Sequence, residues 1–208
     1  MPNLRQLLAA HAPVLLLDAA SARLQVGWLA ADGTGDWATS DEEAGSGIFR
    51  CLERLGRPPG EAGALVYCDG PGSILGIRTT AMALRTWSVL QPRPMFAYHS
   101  LAVVAQALHR PGARIIADAR RDAWHCRACD GPLQRVPAAE LGGELLMPEG
   151  FRHWSPLPAG VTRVPYGLAD LLPVVADEDL FRATTAPEAF LHEEPSYATW
   201  TPQIHRAP

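Results

Sequence analysis

The order of hydrophobic and polar residues along the chain predicts strands that alternate with helices, most clearly in the segment 64–91. An apolar run at 64–68 ends in Asp69-Gly70-Pro71-Gly72, four residues that favour turns. Ser73 is a suitable N-cap, and apolar residues then recur every three or four positions to about Leu90, the period of a helix with one buried face. The segment is therefore predicted to be a buried strand, a glycine loop and a helix.

The same patterns predict elements on both sides of this segment. Short apolar runs indicate strands, and periods of three and four indicate helices. The predicted elements are helices at 3–11, about 41–55, 100–108, 166–172 and 187–192, and strands at 14–17, 24–30, 95–98, 114–118, 123–129, 133–136 and 145–148. Strands followed by helices predict an α/β protein, which we divide into an N-terminal helical extension at 1–12, a first lobe at 13–110 and a second lobe at 111–208.

Composition narrows the classes of function. The chain has 208 residues, 48% of them hydrophobic, and a net charge of −4, with its arginines scattered along the sequence. Because nucleic-acid binding depends largely on neutralising phosphates, we expect no stable binding of nucleic acid. The sequence shows neither a signal-peptide core nor an apolar run near twenty residues, so we expect a cytoplasmic protein that does not bind membranes. Four dispersed cysteines indicate reduced thiols.

The glycine loop leaves two interpretations open. A loop that enters a helix points backbone N–H groups outward at the positive end of the helix dipole, which suits an anion such as phosphate. Under that interpretation Gly70, Gly72 and Ser73 bind a cofactor. The sequence does not match the known phosphate-binding motifs, however. A Walker loop ends in Gly-Lys-Ser/Thr, where this chain has Gly76-Ile77-Arg78, and a dinucleotide-binding fingerprint has glycine at the position of Leu75. The other interpretation is a tight turn without a ligand.

Other candidate sites have ordinary structural interpretations. On a strand, Cys126 and Cys129 point to opposite faces, which argues against a metal or a disulfide. Asp118 and Asp122 are close enough to the intervening arginines to form ion pairs in a solvated turn. Trp28, Trp87 and Trp124 are predicted to lie in the core. We predict no catalytic residue and no metal site.

Several segments resemble the TsaB (YeaZ) family, which takes part in making threonylcarbamoyladenosine in tRNA. The segment 69–84, DGPGSILGIRTTAMAL, resembles the family's GPGSFTGLRIG. The further resemblances are those of 14–21 to the opening strand and its LAIDTAT turn, of 98–101 to GVSSLEALA, of 115–122 to IDARRGEVY, and of 194–197 to PVYLR. The segments occur in the family's order, from about residue 13 to about residue 200.

The resemblance implies an actin-like ATPase fold of the ribonuclease H-like kind, with two lobes of mixed sheets flanked by helices. It also implies a non-catalytic scaffold that binds and stabilises TsaD. TsaD transfers threonylcarbamoyl to the adenosine next to the anticodon of tRNA and works with an ATPase, TsaE. Family members also self-associate, which implies a homodimer in the absence of the partner. The chain itself would need no cofactor, with ATP or ADP bound only at an interface with the partner.

In the family, two helices form the docking surface, the helix before the glycine loop and the helix after it. Carried over to this sequence, the partner-binding residues are Ser46, Phe49, Arg50, Glu53, Arg78, Met82 and Arg85. The sequence departs from the family at Ala19, where a threonine is usual, at Gly45-Ser46, where a His-Ser pair is usual, and at Ile74-Leu75, which replaces Phe-Thr. These departures leave the affinity for the partner, and its identity, open.

Two alternatives remain. The first is a small actin-like ATPase or kinase in which Asp18 coordinates magnesium and the loop from Gly70 to Ser73 holds phosphate. The second is a paralogue that binds a different protein through the same two helices. The extension at 1–12 is interpreted as a packing addition without a role in either function.

Overall fold

The computed structural model describes residues 1–190. Within these residues, five α-helices and eleven strands follow one another. They are α1 Leu4–His11, β1 Val14–Asp18, β2 Leu24–Leu29, β3 Gly35–Ser40, α2 Ala44–Leu55, β4 Ala64–Gly70, α3 Ile74–Leu90, β5 Met95–His99, α4 Ser100–Leu108, β6 Arg114–Asp118, β7 Ala123–Ala128, β8 Gln134–Pro137, β9 Leu145–Pro148, β10 Thr162–Val164, α5 Leu168–Val174 and β11 Arg182–Ala183.

The strands form two mixed sheets. The first has six strands in the order β11-β5-β4-β1-β2-β3, and the second has five in the order β10-β9-β6-β7-β8. The pairs β1–β4, β4–β5, β6–β9 and β9–β10 are parallel, and the remaining pairs are antiparallel. The predicted class, a mixed α/β protein with sheets flanked by helices, is confirmed.

The first sheet is covered on both faces, which explains why β1 and β4 are uninterrupted apolar runs. Side chains alternate between the faces with a period of two. Leu15 and Leu17 pack in one cluster with Ile48 of α2 and Leu84 of α3. Leu16 packs in the other cluster with residues of α4 and of the second sheet. Helices α2 and α3 therefore lie together on the face of the first sheet that is turned away from α4.

The N-terminal extension is built into the core. Asn3 and Gln6 form a reciprocal capping box at the start of α1, and its three leucines, Leu4, Leu7 and Leu8, are buried. The Arg5 side chain pairs with Asp177 at 2.8 Å. Strand β11, which comes from beyond residue 110, pairs with β5 and completes the first sheet.

Some local predictions were wrong. Ser100 was predicted to be the N-cap of the helix at 100–108, but it is the first residue of α4 and His99 is the N-cap. The Ser100 hydroxyl instead donates to the Pro71 carbonyl at 2.6 Å. Trp28 and Trp124 are buried as predicted, but Trp87 is only half-buried. Strands β3, β10 and β11 were not predicted. Strands β10 and β11 have only two or three residues, too few to show a period, and β3 is a partly exposed edge strand without an apolar run. The helix predicted at 187–192 is wrong for residues 187–190, which form neither helix nor strand; residues 191–192 and the tail resemblance at 194–197 lie outside the described residues.

Candidate functional site

The outer face formed by α2 and α3 exposes large apolar side chains. Phe49 on α2 is 55% exposed and Met82 on α3 is 59% exposed. Leu75 and Val89 lie seven residues to either side of Met82 and are exposed as well, so the three recur at the period of a helical seam. An exposed apolar stripe of this kind is typical of a surface that binds another protein. We call this surface the docking face.

A groove of about 410 Å³ runs between the two helices of the docking face. Its lining is mostly apolar or small, with Arg78 as the charged residue. The lining residues are Gly45, Ile48, Phe49, Arg78, Thr79, Met82, Ala83, Thr86 and Trp87. Three residues predicted to bind a partner, Phe49, Arg78 and Met82, are thus brought together in one groove.

Three further predicted residues lie on α2 outside this groove. Ser46 is exposed, and its hydroxyl donates to the Glu43 carbonyl at 3.3 Å. Arg50 is exposed and donates to the Glu42 carboxylate at 3.2 Å. Glu53 is also exposed. These polar side chains would form a rim around a bound partner, where single ion pairs contribute little affinity.

Arg85, the seventh predicted residue, is already engaged within the chain. Its Nε donates to the Pro187 carbonyl at 2.8 Å and its terminal nitrogen pairs with Glu188 at 2.6 Å. The segment 184–190, which we call the C-terminal strap, is also held by Tyr67, whose hydroxyl accepts from Glu188 N and donates to Glu188 O, both at 2.9 Å. The strap therefore borders the docking face.

A second groove, of about 290 Å³, lies between α3 and the strap. It shares Arg78 and Met82 with the first groove. The strap was not predicted, because it contacts α3 from about a hundred positions further along the chain and no local sequence pattern indicates such a contact. Arg78 and Met82 thus form a ridge with a groove on each side.

The glycine loop packs closely against the turn that follows β1. A Cβ placed on Gly72 would lie 2.4 Å from the Ala20 carbonyl oxygen, and one on Gly76 would lie 2.4 Å from that of Ala19. Ser73 donates its N–H to Ala20 O at 2.8 Å, and its hydroxyl accepts from Gly76 N. The predicted N-cap is confirmed. The loop thus uses some of its donors within the protein, and Gly70 and Gly72 have the positive φ angles that favour glycine.

Asp18, the predicted magnesium ligand of the ATPase alternative, is completely buried. Its carboxylate accepts hydrogen bonds from the hydroxyls of Tyr98 and Tyr166, both at 2.6 Å, and from Ala20 N at 2.9 Å. Burial raises the pKa of the Asp18 carboxyl, and these hydrogen bonds offset part of that effect. Before Asp18 could coordinate magnesium through Oδ2, the hydroxyls of Tyr98 and Tyr166 would have to break their hydrogen bonds to it.

Gln25 on β2 makes a second buried connection to the same segment. Its amide donates to the Tyr166 carbonyl at 3.1 Å and accepts from Leu168 N at 2.8 Å. Asp18 and Gln25 therefore join the first sheet to the segment that leads into α5. Neither role was predicted from the sequence. Tyr166 lies more than 140 positions from both Asp18 and Gln25, and no local pattern indicates such a contact.

The cysteines and acids do not assemble a metal site in the described part of the chain. All four cysteines are free. Cys126 lies on β7, whereas Cys129 lies beyond the end of that strand. The Sγ atom of Cys129 is 3.6 Å from Nδ1 of His109. Within residues 1–190, no three His, Cys, Asp or Glu side chains are placed to hold a metal ion. In the same range, no helix is long and apolar enough to cross a membrane.

Comparison with solved structures identifies the fold. YeaZ from Pseudomonas aeruginosa matches with a TM-score of 0.56 and 19% sequence identity, over 78% of this chain and 89% of that one. A protein described as uncharacterised, with similarity to peptidase YeaZ from Pseudomonas aeruginosa, matches with a TM-score of 0.55 and 18% identity over the same shares. No protein-family model and no curated protein sequence matches. The predicted actin-like, ribonuclease H-like fold is confirmed.

Proposed function

We propose that this protein is a non-catalytic scaffold subunit of the TsaB kind, which binds and stabilises a TsaD-like transferase through the docking face. The transferase would carry threonylcarbamoyl to the adenosine next to the anticodon of tRNA in the cytoplasm, and a TsaE-like ATPase would join through it. The fold shared with YeaZ supports the proposal. The observation that carries it is the exposed apolar groove between α2 and α3, where the resemblance locates the partner-binding residues.

The groove has the composition of a protein-binding surface. Phe49 and Met82 are large, exposed side chains that line the groove, the kind of side chain that contributes most of the energy in protein interfaces. Arg78 adds a charged donor to the lining, and the polar residues of α2 lie outside the groove. The lining offers no carboxylate, histidine or thiol for acid–base or nucleophilic chemistry. These features support binding rather than catalysis.

Gly45 bears on which partner is accepted. The family usually has histidine at this position, and a Cβ added here would meet nothing within 4 Å. The missing side chain therefore leaves one end of the groove wider. We expect the transferase that pairs with this chain to fill that space with a larger side chain of its own.

The proposal is tested by purifying the full chain and the TsaD-like protein of the same cell and measuring their affinity by titration calorimetry. Phe49→Asp and Met82→Asp would each bury a charge at the centre of the interface. We expect each to weaken binding by about 30-fold or more, the size of an interface hot spot. Val174→Asp is the matched control, because Val174 is 67% exposed on α5, outside the docking face.

Three outcomes separate the alternatives. Equal affinities in all variants, or no binding to the transferase, would contradict the proposal. We propose that the docking face also forms the homodimer, so sedimentation of the chain alone should show a dimer that the two aspartates dissociate. ATP hydrolysis by the isolated chain, abolished by Asp18→Asn, would favour the ATPase alternative instead.

A further inference from the structure

The turn between β6 and β7 meets the loop after β9 at the carboxylate of Asp118. This carboxylate accepts hydrogen bonds from Arg120 N at 2.6 Å and from Ser155 N at 2.9 Å. It also accepts from Trp154 N and from the Ser155 hydroxyl. The sequence predicted ion pairs between Asp118 and the arginines of this turn. That prediction was wrong, because backbone N–H groups take the place of the guanidinium groups and fasten the loop to the turn.

The turn has an unusual backbone. Arg120, Arg121 and Asp122 have φ angles of 60°, 53° and 53°, in the left-handed region that residues other than glycine seldom adopt. Strained backbone of this type is commonly found where side chains are held for binding. Here it keeps the side chains of Arg120 and Arg121 exposed on the surface.

An exposed tryptophan completes the feature. The guanidinium carbon of Arg120 lies 3.9 Å from the centre of the Trp154 ring, and Trp154 is still 58% exposed. Arg135 on β8 donates to the Arg120 carbonyl at 3.2 Å, so a third arginine reaches the same place. We call Arg120, Arg121, Arg135 and Trp154 the Arg–Trp platform. Trp154 lies 34 positions after Arg120 in sequence, so only the fold brings its ring to the arginines.

We propose that the Arg–Trp platform binds an unpaired stretch of single-stranded RNA, with a base stacked on Trp154 and phosphates next to Arg120 and Arg121. Exposed aromatic rings beside arginines are how proteins hold unpaired nucleotides. A purely acidic partner would need the arginines but would have no use for an exposed indole. Because the chain carries a net charge of −4, the binding should be weak and strongly dependent on salt.

This inference does not depend on the docking face, since all of its residues lie on the second sheet and its loops. The probe is a fluorescein-labelled 12-nucleotide oligouridine, titrated with the full chain and followed by fluorescence anisotropy at several salt concentrations. Each phosphate contact should contribute about −0.7 to the slope of log affinity against log salt. Contacts to two or three phosphates therefore predict a slope of about −1.4 to −2.1.

Variants test the roles of the side chains. Trp154→Ala should weaken binding by about tenfold, within the range found for loss of one base–aromatic stack, whereas Trp154→Phe should keep most of it. Replacing both Arg120 and Arg121 by alanine should make the slope shallower by about 1.4. Arg110→Ala is the matched control, because Arg110 pairs with Glu144 at the opposite end of β6.

The proposal is overturned by any of three results: no binding at low salt, equal binding by Trp154→Ala and the unaltered protein, or displacement of the RNA by an oligoglutamate at equal concentration. The last result would identify the platform as a site for acidic protein segments. Near-ultraviolet circular dichroism of each variant checks that it is folded. The double arginine variant gives an independent test if Trp154→Ala does not fold.

Discussion

Gly76 and Gly45 occupy the first turns of α3 and α2, and replacing each by alanine should change the stability in opposite directions. Alanine in a helix is more stable than glycine by about 0.5–1 kcal/mol, since it has less backbone freedom to lose. A Cβ at Gly45 would meet nothing within 4 Å, so Gly45→Ala should stabilise the protein by up to that amount. A Cβ at Gly76 would lie 2.4 Å from the backbone oxygen of Ala19, too close for any real contact.

The structure therefore predicts a net cost for Gly76→Ala. Overpacking of this kind costs about 1–3 kcal/mol, and subtracting the helical gain of about 0.5–1 kcal/mol leaves a net loss of up to about 2.5 kcal/mol. For a chain of this size, 1 kcal/mol corresponds to about 2–4 °C in Tm. Urea unfolding followed by circular dichroism, with thermal melting as a second measure, gives both signs in one experiment. A Gly76→Ala protein as stable as the original would show that the loop is not packed tightly against the turn after β1.

Three other changes test connections described above. The raised pKa of Asp18 means that the folded state holds this proton more tightly than the unfolded state, so its contribution to stability is complete below about pH 4 and is lost as the pH rises through the folded pKa. Asp18→Asn should remove that dependence above about pH 4, and unchanged slopes of unfolding free energy against pH would contradict this prediction. Arg85→Ala should leave global stability within about 1 kcal/mol but increase hydrogen exchange at Glu188 N, and unaltered exchange would mean that Tyr67 alone holds the strap. Leu7 is 1% exposed, and Leu7→Ala should lower the free energy of unfolding by about 2–5 kcal/mol, measured in urea. Arg5 is exposed, and Arg5→Ala should lower it by less than about 1 kcal/mol. A small effect of Leu7→Ala would mean that α1 contributes little to the core.

The parts of the fold that could be predicted are those with a local cause. The strand, glycine loop and helix at 64–90 follow from an apolar run, four turn residues and a helical period, and the structure has β4 and α3 there. The N-cap at Ser73 follows from its hydroxyl. The short strand β11 could not be predicted, since its place is decided by the free edge of β5 rather than by its own two residues.

The candidate site was predictable in part, and for the same reason. Helical spacing together with the family resemblance was enough to select Phe49 and Met82. Arg85 was selected by the same spacing, but its engagement by the strap depends on a contact across the fold. The Arg–Trp platform shows the limit most clearly. Arg120 and Arg121 are adjacent in sequence, but Arg135 and Trp154 reach them only in the fold, so composition alone indicated a chain without a basic surface.

The buried bonds of Asp18 and Gln25 also bear on how the protein responds when it is bound. A molecule that opens and closes around a ligand needs a seam between its halves that separates at little cost. Here separation would break the hydrogen bond from Tyr166 to Asp18 and the two hydrogen bonds of Gln25, whereas the bond from Tyr98 to Asp18 lies within the first sheet. Three buried hydrogen bonds thus join the first sheet to the segment that leads into α5. If a partner binds as proposed, we expect this junction to stay closed and the docking face to keep its shape on binding.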